Sequence, residues 1–385
     1  MHVVYDYQAF SLQTHGGISR YFSEIGPRIA AMPGYRCTVL AGAHRNDYVD
    51  GLALARVGFR LPHWRVLSPA RGVVNAMFNR AWLARHRPDV VHETYYGRTR
   101  LAPAAASIVV TVHDMIHERF PEYFGRGDMT ARHKATAVAR ADAVICVSES
   151  TRRDLLALLP VDESKVRVIH HGCTLAPQRP RAESSARPFL LYVGPRGGYK
   201  NWSMLIAALG ANPSLHAFDL VCFGGRPFTR DETALIGRAL PRAQSVLHRQ
   251  GGDETLASLY ADAAALVYPS LYEGFGLPPL EAMASGCPVV CSDASSLPEV
   301  VASAAEMFDA RDADALGTAI AAVVFSPTRR EELRRAGLMR ARSLTWARCA
   351  ERTRIVYEEA CVARSSAAPR LRLTAQNARS RLREP

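Results

Sequence analysis

The chain has 385 residues, 48% of them hydrophobic and 22% charged, and a net charge of +12. That length is too great for one ordinary domain and suits two, and the balance of residues excludes a wholly disordered chain. The positive excess predicts attraction to anions, but the aromatic residues do not interleave with basic ones as base-stacking platforms do, so nucleic acid is not an expected partner.

No apolar stretch approaches the roughly 18–20 residues that a membrane span needs. The opening MHVVYDYQAF has no basic n-region and carries Asp6, which does not read as a signal peptide. Eight cysteines form no C-x-x-C pair, and several lie in apolar runs such as DAVICVS and DLVCFGG, so buried free thiols in a reducing compartment are expected. The expected location is the cytoplasm, at most peripheral to a membrane.

In chain order, short apolar strands alternate with amphipathic helices. Residues 1–5 read as a strand, followed by a glycine loop at Gly16-Gly17 and a helix from about Ile18. Continuous apolar runs recur at 37–40, 90–92, 108–113, 143–147 and 166–169, as in strands buried on both faces of a parallel sheet. Ser148 opens a further helix, with Ser or Thr as its N-cap. The proline-rich TLAPQRPRAESSARP marks a linker at 174–187. A second alternation then begins with FLLYVG, the loop GPRGGYKN and a helix from about Trp202, with later strands at 218–223, 264–268 and 288–292. Trp346 to Cys361 has helical spacing, and the Arg- and Ser-rich remainder is expected to fray into disorder. These patterns give an α/β fold of two doubly wound domains, at 1–173 and 188–344, a helix at 345–363 and a basic tail at 364–385. Ligands of such sheets bind beyond the carboxyl ends of the strands, which makes the cleft between the domains the expected site.

The strongest local signal is E-G-F-G-L-P-P-L-E, from Glu273 to Glu281, after the strand ALVYPS. Gly274, Phe275, Gly276 and Leu277 form a turn into a helix, where proline is tolerated and the positive helix end suits an anion or a hydroxyl-rich ligand. Glu281 is placed to bond ribose hydroxyls, and Glu273 to hold a sugar hydroxyl or balance positive charge in the transition state. In the loop from Gly194 to Asn201, Arg196 and Lys200 bracket two glycines, which suits a diphosphate. Gly16 and Gly17 could face a phosphate from the opposite domain. His113, in V-T-V-H-D at a strand end, can hydrogen-bond a sugar or assist proton movement. Asp312-Ala313-Asp314 has D-x-D spacing but reads better as a helix cap, so no metal and no cofactor are expected.

Over roughly residues 1 to 360, these motifs together resemble the retaining glycosyltransferases of family 4, which have the GT-B fold. The resemblance implies two Rossmann-like domains, a donor domain second in the chain and a C-terminal helix crossing back to the first. It assigns Glu273 and Glu281 to the donor-binding E-x7-E signature, Arg196 and Lys200 to the pyrophosphate pair, Gly16 and Gly17 to the N-terminal glycine loop and His113 to the neighbourhood of the transferred sugar. It sets Arg249 to Glu254, with Asp253, where the base is usually contacted. His113, Arg196, Lys200 and Glu273 are the expected catalytic residues. The other expected donor contacts are Gly16, Gly17, Gly194, Asp253, Gly274, Phe275, Gly276, Leu277 and Glu281.

The implied reaction is metal-independent transfer of a hexose, mannose slightly favoured, with retention by front-face substitution. The donor would be a GDP- or UDP-linked nucleotide-sugar and the acceptor a glycan or a lipid-linked glycan. The basic tail would then hold the enzyme at an anionic inner leaflet. Two rivals remain at this stage: a sugar-nucleotide epimerase of the same architecture, and a noncatalytic nucleotide- or nucleic-acid-binding protein. A dehydrogenase is weaker still, because no G-x-G-x-x-G follows the first strand.

Overall fold

The apolar runs of the first half form one parallel sheet and those of the second half another. The computed structural model describes residues 1–12, 14, 16–61, 68–174, 187–242 and 245–381. The first sheet comprises β1 (His2–Tyr5), β2 (Arg36–His44), β3 (Ala55–Arg60), β4 (Val90–Glu93), β5 (Ser107–Val112), β6 (Ala143–Cys146) and β7 (Val166–Val168), in the order β3-β2-β1-β4-β5-β6-β7. The second comprises β8 (Phe189–Val193), β9 (Asp219–Phe223), β10 (Val246–Arg249), β11 (Ala265–Tyr268), β12 (Val289–Ser292) and β13 (Glu306–Phe308), in the order β10-β9-β8-β11-β12-β13. The order reverses beside β1 in one sheet and β8 in the other, and crevices open where the order reverses in such folds.

Helices cover both faces of each sheet, which is why the central strands are apolar at successive positions. In the first domain Tyr5, Val39 and Ile145 pack with Phe22 and Ile25 on one face, while Val4, Leu40 and Val144 pack with Leu83 and Leu155 on the other. In the second, Leu191 and Val289 face Leu280 and Val300, and Leu190 and Val290 face Leu205 and Ile320.

Three strands lay outside the sequence expectation: β3, β10 and β13. All are sheet edges; β3 is mostly exposed along its length, and β10 and β13 have three or four residues. None carries the continuous apolar run that marked the others. Ser148 is the N-cap of the helix Glu149–Leu158, its side chain accepting from Thr151 N. Asp312 caps the helix Ala313–Val324 by accepting from Asp314 N and Ala315 N, so the D-x-D spacing is a capping arrangement. The eight cysteines are free thiols.

Most of the linker lies outside the described residues. After the second sheet the chain returns to the first domain in the helix Trp346–Arg381, whose Trp346, Cys349 and Tyr357 join the core around Tyr21 and Ile25. The crossing is tight: a Cβ on Gly172 would lie 2.0 Å from the backbone nitrogen of Trp346, so no larger residue fits there. The helix runs on past residue 364, into the segment expected to be a basic tail. Its backbone is helical to Arg381, through a segment that carries several Ala, Arg and Leu residues as well as Pro369. Arg364 anchors the start of that extension, Nη1 donating to both carboxylate oxygens of Asp142 at 2.9 Å.

Candidate active site

The expected residues gather at the carboxyl ends of β1, β5, β8 and β11. In the second domain Gly194 follows β8, its N–H donating to the Phe223 carbonyl at 2.9 Å. A short turn, Gly198–Lys200, then carries Lys200 back over the sheet. Its Nζ donates to Glu273 Oε1 at 2.7 Å and to the Tyr268 hydroxyl at 3.0 Å. Burial opposes the charge on Lys200, but the Glu273 carboxylate outweighs it and holds the ammonium well above its ordinary pKa. Lys200 is therefore a fixed cation at neutral pH.

Arg196 is brought to the same loop but aims elsewhere. Its Nε pairs with Glu232 Oε1 at 3.1 Å, Nη2 donates to the Arg226 carbonyl, and the guanidinium stacks over Phe228 at 4.6 Å. Nη1 is buried without a partner and lies beside Gly225, across from Gly194.

The E-x7-E element runs from the loop after β11 into the helix Leu277–Ala284, with Gly276 as N-cap at φ 102°. The hydroxyls of Ser295 and Ser296 fix the Glu273 backbone, and Ser296 also donates to the Phe275 carbonyl. Phe275 is buried against the His171 ring, 5.0 Å between centroids. One turn into the helix, burial raises the Glu281 carboxyl to about pH 7, against the pull of Arg20. Glu281 Oε1 accepts from Arg20 Nη1 at 2.9 Å, and Oε2 from the Tyr260 hydroxyl at 3.3 Å. The other guanidinium arm, Nη2, reaches Asp253 Oδ2 at 2.9 Å, at the start of the helix Asp253–Asp262.

The first domain closes over this surface. Gly16 caps the helix Gly17–Ala30, and a Cβ on Gly17 would lie 3.4 Å from Leu277 Cδ1. A Cβ on Gly274 would lie 1.7 Å from the His113 carbonyl oxygen, so glycine is obligatory at the closest approach of the two domains. The Gly274 carbonyl in turn accepts from Ser148 Oγ at 2.7 Å and Thr151 Oγ1 at 3.1 Å. His113 is buried, with Nε2 unpartnered, and burial lowers its pKa to about 3, so the ring is neutral. His117 and Glu118 stand apart from the cleft contacts, Glu118 accepting from the buried Lys134 at 2.8 Å.

Sequence reasoning missed Arg20, Tyr268 and the Ser148–Thr151 pair. Arg20 stands one helical turn after Gly16, which puts it on the same side of the helix as the glycine loop. Tyr268 is the polar end of an otherwise apolar strand. Both were visible signals. A cavity of about 840 Å³ lined by Asp89, Asp142, Lys165 and Arg364 lies at the opposite ends of the first sheet's strands and touches none of these groups.

A glycosyltransferase family 4 model matches residues 15–176, and a model of glycosyl transferases group 1 matches residues 177–339. Alpha-maltose-1-phosphate synthase of Mycobacterium tuberculosis is 31% identical over 314 residues, covering 71% of this chain and 79% of that one. The chain belongs to glycosyltransferase family 4. O-antigen chain mannosyltransferase B of Escherichia coli is 29% identical to this glycosyltransferase over 323 residues, covering 79% and 81% of the two chains. Sucrose-phosphate synthase of Thermosynechococcus elongatus superposes with a TM-score of 0.75 at 20% identity over 93% of the glycosyltransferase and 98% of that chain. The Anabaena protein HepE, solved with UDP and glucose, superposes with a TM-score of 0.70 at 15% identity over 93% and 99%. The GT-B fold of this glycosyltransferase is thereby shown. None of its helices, among the described residues, is long and apolar enough to cross a membrane.

Proposed function

We propose that this enzyme transfers a hexose, mannose first among candidates, from a GDP- or UDP-sugar to a lipid-linked or polysaccharide acceptor, with retention and without a metal. The observation that carries the reading is the Lys200–Glu273–Tyr268 cluster, a fixed cation between a carboxylate and a phenol, with Glu281 one turn into the helix that follows Glu273. Lys200 and the unpartnered Nη1 of Arg196 neutralise the departing diphosphate. Glu281, released from Arg20, accepts from the ribose hydroxyls, and Glu273 orients the sugar beneath His113. As the bond from the anomeric carbon to the phosphate oxygen breaks, the acceptor oxygen bonds to the same face. The leaving phosphate takes the acceptor's proton. The mannose preference is supported by the names of relatives, the O-antigen chain mannosyltransferases of Escherichia coli and Salmonella typhimurium.

The cleft contacts must part for a donor to enter, because Gly17, Gly274 and Arg20 all bridge the domains. Purified enzyme incubated with each sugar nucleotide and a lipid-linked glycan, with and without EDTA, tests the proposal. Transfer that survives EDTA and gives a product of unchanged anomeric configuration by NMR is expected. Loss of transfer in EDTA with rescue by Mg²⁺ overturns the metal-free mechanism, and an epimer formed without acceptor overturns transfer itself.

A further inference from the structure

The helix Ser68–His86 carries apolar side chains on its outer side. Its buried side carries Leu83 together with Asn75 and Asn79, the asparagines being 1% and 0% exposed. Asn75 is held by Ala43 N and O and by Ser11 Oγ, and Asn79 donates to the Asn75 carbonyl. Its outer side carries Val73, Val74 and Met77, which are 61%, 58% and 68% exposed, with Phe78 beside them at 39%. Clustered exposed apolar side chains on a helix of a soluble domain mark an interaction surface.

The charge around this helix is equally one-sided. From residue 51 to residue 88 the sequence has no Asp or Glu and seven arginines. Arg56 and Arg60 are engaged by the segment 47–50, but Arg80 and Arg85 are exposed on the helix and have no side-chain partner among the described residues. An occupant must therefore be both apolar and anionic. A second copy of this chain would oppose arginine to arginine. A bilayer with anionic headgroups meets both demands, since valine, methionine and phenylalanine enter the acyl boundary while arginines stay at headgroup level.

The orientation fits. The Tyr7 hydroxyl, just past β1, donates to the Gly72 carbonyl, and Trp82 meets His2, at the start of β1, with rings 6.2 Å apart. The apolar turns thus stand at the carboxyl, cleft end of the sheet, where Asn75 of the same helix meets Ser11. We infer that Val73, Val74, Met77 and Phe78, flanked by Arg80 and Arg85, form a docking face for an anionic lipid bilayer. This face goes beyond the transfer reaction and depends on the proposed lipid-linked acceptor only for the reason why the cleft should open towards a membrane.

The test is co-sedimentation of the full chain with vesicles of phosphatidylethanolamine and phosphatidylglycerol, against phosphatidylcholine alone. The vesicles carry no glycan and no sugar nucleotide, so the outcome does not depend on the donor or acceptor. Wild type should pellet with the anionic vesicles and be released by salt. Each of Arg80→Glu and Arg85→Glu should weaken binding at least about fivefold, the value of one basic residue at such a surface. The double variant Val73→Asp/Met77→Asp should abolish it with an unchanged melting temperature, because both side chains face solvent. Truncation after Ser365 should leave most of it. No wild-type binding, equal binding by the variants, or loss only on truncation overturns the proposal. A dimer in solution that Met77→Asp dissociates, without vesicle binding, also overturns it and assigns the face to a second copy.

Discussion

The carbonyl oxygen of His113 lies 1.7 Å from where any side chain on Gly274 would begin. The two residues come from different domains, so the fit exists only when the cleft is shut. Gly274→Ala is expected to hold the domains apart while each keeps its own core. A displacement of about 1 Å in a reacting assembly costs roughly 100-fold in rate. Steady-state kinetics should show that loss in kcat, and small-angle scattering should show a more open particle.

Lys200 and Arg196 should both weaken the grip on the diphosphate when mutated, and Arg196 should in addition cost stability. Lys200→Ala removes a cation that touches Glu273, and kcat/KM is expected to fall about 10²–10³-fold, with the thermal shift given by nucleoside diphosphate lost. Arg196→Ala strands Glu232, whose side chain is 18% exposed, so its cost should fall below that of a fully buried pair, at about 2 kcal/mol. Urea unfolding would measure it. Unchanged stability in Arg196→Ala would contradict the role of the Glu232 pair.

Glu281 makes the enzyme sensitive to pH. Its carboxyl is raised from 4.5 to about 7, so across that window the folded chain keeps a proton that the unfolded chain has released. Folding stability should therefore fall as pH rises from 4.5 to about 7 and then level off. Nucleoside-diphosphate affinity should move the other way, because the ionised carboxylate is the better acceptor for ribose hydroxyls. Glu281→Gln should flatten both trends, as read by denaturation and calorimetry at several pH values.

His113 should leave no mark on the pH–rate profile. Burial keeps its ring neutral down to about pH 3, below the working range. The unpartnered Nε2 is available for one neutral hydrogen bond, and losing such a bond in a buried site costs about 1–3 kcal/mol. His113→Ala is expected to lower kcat/KM by about 10–100-fold at every pH. A limb of the profile that vanishes in this variant would refute the neutral role.

The central strands were legible because a strand covered on both faces needs an unbroken apolar run, as in FLLYV and SIVVTV. ARVGFR and EMF, at the sheet edges, answer to no such demand. The E-x7-E element and the Lys200 loop were legible because their glycines and charges sit close together in sequence. The pairings were not: Lys200 and Glu273 are 73 residues apart, and Arg20 and Glu281 are 261 apart. Only the facing of two sheets brings such groups together, and no local pattern encodes it. The pairing of Arg196 Nε with Glu232 was hidden for the same reason, since the carboxylate comes from another helix.

Gly172 and Trp346 place two passages of the chain between the halves side by side. A body joined at two neighbouring points behaves like a door on paired pins: it swings about one line and resists sliding or twisting. Spin labels across the mouth should therefore report a broad range of separations in the free enzyme, while labels flanking Gly172 and Trp346 keep one distance throughout turnover.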